Sequence, residues 1–160
     1  MVPIGNPTTP EIVYGFGPSF HYKGFDFSFF FQGVAKTSLF MSGLQPFGTM
    51  MENKNVQKFI ADDRWSPENQ NIFAEYPRLT IERSANNSTT STYWERNGAF
   101  LKLKNAEIGY TFKSMRLYLR GSNLLTFSKF KLWDPEQGGG NGLKYPTQRV
   151  FNIGFQMTIK

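Results

Sequence analysis

Few residues in this chain are placed to do chemistry. His21 is the only histidine. Two-residue alternation sets it opposite Asp26, the pairing an acid–base site would need, but no nucleophile or third group falls beside it. The pair reads as a structural polar contact near a turn. Asp62, Asp63, Glu68 and Glu75 flank a helix end and loops, and read as solvated charges. Asp134, Glu136 and Asn141 share a loop with Gly138-Gly139-Gly140. Such oxygen ligands suit calcium, although the spacing is not that of an EF-hand. Cysteine is absent, which removes disulfides and thiolate chemistry. Asn86-Asn87-Ser88-Thr89 matches glycosylation sequons, a motif short enough to arise by chance. Trp65, Trp94 and Trp133 fall in or beside loops. Tryptophan there stacks on sugar rings, anchors a protein interface, or packs loops together. No constellation supports an enzyme.

The elements that would position these residues are β-hairpins. Trp94 to Phe127 alternates apolar and polar residues with a period of two. A two-residue turn at Phe112-Lys113 pairs Tyr110 with Met115, Ile108 with Leu117 and Ala106 with Leu119 on an apolar face. Thr111 then meets Ser114, Gly109 meets Arg116, Glu107 meets Tyr118 and Asn105 meets Arg120 on a polar face. Glu107 lies diagonal to Arg116 and Arg120, within ion-pairing reach. Leu101 and Leu103 fall out of phase with Ala106, Ile108 and Tyr110, which predicts a bulge near Asn105 or a strand leaving the apolar zone.

Ile12 to Ala35 forms a second hairpin with its turn at Lys23-Gly24. One face carries Tyr22–Phe25, Phe20–Phe27, Pro18–Phe29 and Phe16–Phe31. The other carries His21–Asp26, Ser19–Ser28, Gly17–Phe30 and Gly15–Gln32, with Phe30 filling the space above Gly17. Pro18 donates no ladder bond, so a bulge or a lost hydrogen bond is expected there. A last strand at Tyr145–Lys160 turns Phe151, Ile153, Phe155, Met157 and Ile159 one way and Asn152, Gly154, Gln156 and Thr158 the other.

Such hairpins suit a soluble sandwich, which buries the apolar face, or a transmembrane barrel, which turns it to lipid. The aromatic content is 17% with 17 phenylalanines, which excludes a disordered chain. No apolar run approaches the ~18 residues of a spanning helix. Net charge is +6, but the basic residues are scattered, so a nucleic-acid surface is not expected. The start, MVPIGNPTTPEIVYG, has neither the basic nor the apolar region of a signal peptide. The expectation is a chain that is not exported by itself or a piece of a longer exported one. Four consecutive outward phenylalanines (Phe25, Phe27, Phe29 and Phe31) favour a lipid-facing wall.

Connections alternate in length. Those at Lys23-Gly24 and Phe112-Lys113 are tight, those at Thr37–Arg96 and Ser128–Lys144 long, as in outer-membrane barrels with short periplasmic turns and long extracellular loops. Tyr22, Phe25, Tyr110 and Phe112 flank the tight turns, where an aromatic girdle would sit. Thr49-Met50-Met51-Glu52 has capping-box spacing, and Val56, Phe59 and Ile60 recur at helical spacing. A short helix is predicted over 50–63, ahead of Ser66-Pro67. Five antiparallel strands are predicted near 11–22, 24–36, 98–112, 114–125 and 147–160, with extracellular loops over 37–97 and 126–146.

TPEIVYGFGPSFHYKGFDFSFFFQGVA, DRWSPEN, YPRLT, YWERNGAFLKLKNAEIGYTF, LYLRGSNLLTFSKF, the Asp134-Pro135-Glu136 turn and YPTQRVFNIGFQMTIK span nearly the whole chain. In that order they resemble the C-terminal part of SusC-like TonB-dependent receptors, outer-membrane transporters of Bacteroidetes. The resemblance implies an all-β fold: an antiparallel up-and-down transmembrane barrel segment, about five strands of a 22-stranded barrel that encloses a plug. It implies import of glycans or other oligomers, driven by TonB, with a SusD-like surface lipoprotein as partner. The plug and TonB box are not in this stretch, which must complete its sheet with other chain segments. Pro18, in place of an aliphatic residue, and the terminal Ile159-Lys160, in place of an aromatic, depart from the family pattern.

On the barrel reading, Phe25, Phe27, Phe29, Phe31, Ile108, Leu117, Phe151, Ile153 and Phe155 face lipid. Glu107, Arg116, Tyr118, Arg120, His21 and Asp26 face the lumen. Trp65 and Trp94, with Arg64 and Trp133 behind them, are candidates for partner or cargo contact. The alternative is a soluble β-sandwich that binds glycans through its tryptophans.

Overall fold

The structure, a computed structural model, describes residues 4–41, 56, 58–80 and 84–159. The capping box at Thr49–Glu52, the first part of the helix predicted over 50–63, Met1–Pro3 of the lead-in and Lys160 lie outside the described residues.

One antiparallel sheet dominates. Its strands are β1 (Ile12–Phe16), β2 (Ser19–Tyr22), β3 (Phe25–Ala35), β6 (Phe100–Phe112), β7 (Met115–Ser128) and β8 (Val150–Met157), in the order β1/β2-β3-β6-β7-β8. A two-stranded sheet pairs β4 (Ser38–Phe40) with β5 (Glu95–Asn97).

The first hairpin has the register that its turn chemistry dictates. Lys23 and Gly24 both adopt positive φ, 46° and 86°, the backbone of a tight turn that matches strand twist. Tyr22 then faces Phe25, Phe20 faces Phe27 and His21 faces Asp26. The strand predicted over 11–22 is interrupted at Gly17-Pro18. Phe16 still pairs with Phe31 and Ser19 with Ser28, so no residue is inserted. The interruption is a lost ladder bond and not a bulge, because proline has no N–H.

The second hairpin corrects the sequence reading. Its turn is Lys113-Ser114, with Phe112 opposite Met115, one step along from the expected Phe112-Lys113. Tyr110 therefore faces Leu117, Ile108 faces Leu119 and Glu107 faces Arg120. A shift of two residues in pairing leaves every side chain on its own face, so alternation could not detect it.

The bulge expected near Asn105 is present. Phe30 pairs with Asn105 but Phe31 pairs with Leu103, leaving Lys104 as the extra residue on β6. Opposite it β7 also changes register, with Asn123 at a positive φ of 54°. The bulge resolves the phase conflict. It keeps Leu101 and Leu103 on the face of Ile108, and it turns Lys102 to the face of Asp26 and Glu107.

The buried core lies at the end of the sheet away from the tight turns. Leu39, Met41, Ile60, Tyr76, Trp94 and Phe130 form it, with Val56, Leu79 and Trp133 packed alongside. All come from the two long connections and their edges. The predicted helix is described as α1 (Lys58–Asp62), whose Ile60 enters this core. A second one-turn helix, α2 (Ala85–Ser88), lies where only loop was expected; the Ser84 hydroxyl accepts the Asn87 N–H at its start. Among the described residues no second sheet covers the apolar face, which is the layer a sandwich would need.

Candidate functional site

Across the sheet, paired residues share a face. Phe25, Tyr110, Leu117 and Phe155 form one row, and Phe27, Ile108, Leu119 and Ile153 the next. Phe29, Ala106, Gly121 and Phe151 follow, with Phe31 beside Leu103 beyond the bulge. This is the face that the sequence assigns to lipid. It stands open: Phe25 is 55%, Leu117 54% and Phe155 62% exposed.

The opposite face is polar and cross-linked. Arg116 on β7 donates from Nε to Asp26 Oδ1 at 3.1 Å and from Nη2 to Glu107 Oε1 at 2.6 Å; its Nη2 also bonds the second Asp26 oxygen. The guanidinium lies 4.9 Å from the Tyr118 ring centre. A Cβ at Gly154 would meet that ring at 2.2 Å, so only glycine lets Tyr118 lie flat across β8. Phe30 covers Gly17 in the same way, as the sequence predicts, and Gly15 as well. Arg120 makes no ion pair among the described residues, although Glu107 stands opposite it. Its expected partner is taken by Arg116. A depression of about 320 Å³ opens beside Ser19, Ser28, Asn105 and Arg120.

Near the far rim the same face ends in a lysine pair. Lys102, 1% exposed, donates from Nζ to Asp134 Oδ2 at 2.5 Å and to Glu136 Oε2 at 2.7 Å. Lys104 bonds the other Glu136 oxygen. Burial pushes both carboxyls up, but the hydrogen bonds and charge of the lysines outweigh it and hold both below their ordinary values. These are the oxygens expected to attract calcium. They converge on ammonium groups, while the Asn141 side chain accepts the Leu143 N–H. Among the described residues no cluster of three metal-ligating side chains forms. In the sequence Lys102 is one of the scattered basic residues. The phase break at Leu103 signalled the bulge but not the residue that the bulge turns inward.

The four contact candidates separate. Trp94 is 3% exposed, donates its indole N–H to Asn87 O at 2.8 Å, and stacks edge-on against Tyr93. That places it in the core, a correction to its reading as a rim anchor: the bonds that close the β4–β5 sheet onto it leave it little surface. Trp133 donates to Gly138 O at 2.9 Å and packs on Phe130. Arg64 bonds the Ala61 carbonyl. Trp65 is half-buried, its backbone N–H held by Tyr76 O.

No family model matches the chain. Two TonB-dependent receptors of Formosa agariphila, P26 and P3, align over 99% and 96% of it at 30% and 31% identity. TonB-dependent receptor SusC of Bacteroides thetaiotaomicron aligns over 92% at 24% identity. The chain belongs to the SusC-like TonB-dependent receptors. It spans 18%, 17% and 15% of the length of those relatives, so it is one segment of such a receptor. The fold agrees. The RagAB peptide importer in its closed-closed state superposes with a TM-score of 0.76 at 24% identity, covering 96% of this chain and 18% of that one. The open-open state gives 0.71. The receptor segment is thus a stretch of wall from a larger antiparallel barrel, which explains why, among the described residues, its apolar face is uncovered and its edge strands are unpaired.

Proposed function

We propose that this segment forms part of the wall of an outer-membrane transporter that imports glycans or other oligomers, driven by TonB and working with a SusD-like surface lipoprotein. The observation that carries the reading is the division of one sheet into an open aromatic face and a cross-linked polar face. A soluble protein of this size buries its phenylalanines; a barrel wall sets them against lipid. On this reading Phe25, Phe27, Phe29, Phe31, Ile108, Leu117, Phe151, Ile153 and Phe155 meet hydrocarbon. His21, Asp26, Glu107, Arg116, Tyr118 and Arg120 line the lumen, toward the plug and water.

The long connections stand at the extracellular rim and carry the contacts to partner or cargo, through Trp65, Arg64 and Trp133. Trp94 serves by holding those loops in shape. Binding residues concentrate on loops held by a rigid scaffold. The names of the relatives support a receptor role, and RagAB is itself a peptide importer. Calcium in the rim loops would have to displace two lysines and is a minor element of the proposal.

The test is uptake. A strain that carries the whole receptor should accumulate labelled oligomer only when TonB is intact, and the receptor should co-purify with a surface lipoprotein. Accumulation that ignores loss of TonB would remove the transport reading.

A further inference from the structure

The two tight turns of the sheet are built alike. Each opens on a lysine in the left-handed region, Lys23 at φ 46° and Lys113 at φ 53°. That backbone suits glycine or asparagine and strains a lysine. The same strain kept at both turns points to a use for the side chain. Each ammonium lies over the aromatic ring that precedes it. Lys23 Nζ is 5.2 Å from the centre of the Tyr22 ring, and Lys113 Nζ is 5.3 Å from that of Phe112, within cation–π reach. Tyr22 pairs with Phe25 and Phe112 with Met115, so both rings belong to the apolar face. Both ammonium groups are therefore carried on the side of the rim that faces lipid.

The turns are also neighbours, because β3 and β6 lie side by side between them. The Gly24 carbonyl accepts the Thr111 N–H at 2.7 Å, and the Phe25 and Tyr110 rings stand 4.5 Å apart. The turn centres are two strand spacings apart, roughly 10 Å. The acidic side chains of the four strands that make these turns, Asp26 and Glu107, lie on the opposite face, where Arg116 bonds both. They are directed away from the two lysines.

We propose that Lys23 and Lys113 bind the phosphate groups of anionic phospholipid in the leaflet that the tight turns reach, the periplasmic one. The aromatic rings take the glycerol and the first acyl carbons. The ammonium groups, held at the edge of that apolar surface, take the phosphate as point charges. Free phosphate would meet the charges and leave the rings unused. The inference rests on the membrane placement proposed above and adds a class of lipid that anchors this rim.

The experiment reconstitutes the whole receptor in phosphatidylcholine vesicles at low ionic strength. The vesicles carry a trace of phosphatidylglycerol with a photoreactive group beside the glycerol, or phosphatidylcholine with the same group. After illumination, lipid adducts are counted by peptide mass spectrometry. Adducts over 20–25 and 110–115 should be on the order of twentyfold more abundant with the anionic lipid. Lys23→Asn and Lys113→Asn relax the turn backbone and so keep the fold. Each should cut that excess about fivefold, and the double variant should erase it, with the phosphatidylcholine adducts unchanged. Equal labelling by the two lipids, or an excess indifferent to both substitutions, overturns the assignment. Adducts at both turns would in that case still put this rim at a bilayer surface, so the wall reading would stand. Adducts confined to the long loops would overturn both.

Discussion

Arg116 reaches across an entire strand to Asp26. Asp26 is on β3 and Arg116 on β7, and the guanidinium passes over Gly109 of the intervening β6. It meets the carboxylate in a forked pair, Nε to Oδ1 at 3.1 Å, the stronger geometry for such contacts. A Cβ at Gly109 would fall 2.7 Å from Arg116 Nη2 and from both Asp26 oxygens. Three strands are thereby tied on their polar face at a point where the other face stands exposed, with Phe25 55% and Leu117 54% accessible.

Gly109→Val should therefore separate Arg116 from Asp26 and lower the temperature at which the folded receptor converts to its unfolded form on denaturing gels. Asp26→Asn, which keeps one acceptor, should lower it less. Equal transition temperatures for Gly109→Val and the parent would show that the bridge ties nothing.

Lys102→Met should release the loop between β7 and β8. Removing one partner of a buried pair leaves its carboxylate uncompensated, here Asp134, while Lys104 still holds Glu136. The local opening free energy of the loop should fall by about 2–4 kcal/mol, the usual cost discounted for partial exposure. Hydrogen exchange over 130–140 reads it directly.

Acid should do the same reversibly. The folded loop holds Asp134 and Glu136 below their ordinary values of 3.8 and 4.5. Their contribution is complete above those values and is lost as pH falls through the depressed folded ones. Protection of the loop should be flat from neutral pH to about pH 5 and fall below it, and Lys102→Met should flatten that fall.

Trp94→Ala should cost about 3–5 kcal/mol, the range for deleting a buried aromatic side chain. The loss would appear as proteolysis of the 58–97 connection in an otherwise folded receptor. Trp65→Ala, at a half-buried position, should leave the connection resistant.

The first hairpin was legible to the residue because Gly24 marks its turn. The second was legible only in its faces. Lys113-Ser114 offers no glycine, and alternation is blind to a shift of two. The phase break at Leu103 announced the bulge because a buried pattern tolerates no slip. The β4–β5 pair was not legible: three-residue strands more than fifty residues apart leave no periodicity. Nor was the burial of Lys102, which depends on acids thirty-odd residues away in sequence. Of the site, the polar row from Asp26 to Arg120 followed from alternation. The place of Trp94 in the core did not, because nothing local distinguishes a tryptophan that stacks on a ligand from one that packs a loop.

A charge on the apolar face should be expensive. Leu119→Arg, in the row of Phe27 and Ile108 and further from the tight turns than Tyr110, should cost up to about 2–4 kcal/mol of barrel stability, while a substitution to Arg at the neighbouring Tyr118 should be tolerated. Folding into vesicles, followed by denaturant titration, separates the two.

The most direct measurement is a scan of single cysteines over 115–120, one at a time, in the whole receptor free of other cysteines and reconstituted in a bilayer. Each would carry a nitroxide, and its collisions with oxygen, which concentrates in lipid, would be compared with those of a water-soluble nickel complex. Labels at Met115, Leu117 and Leu119 should favour oxygen, and those at Arg116, Tyr118 and Arg120 the nickel complex, in strict alternation. Uniform accessibility, or alternation in the opposite phase, would contradict a barrel wall with its phenylalanines toward lipid.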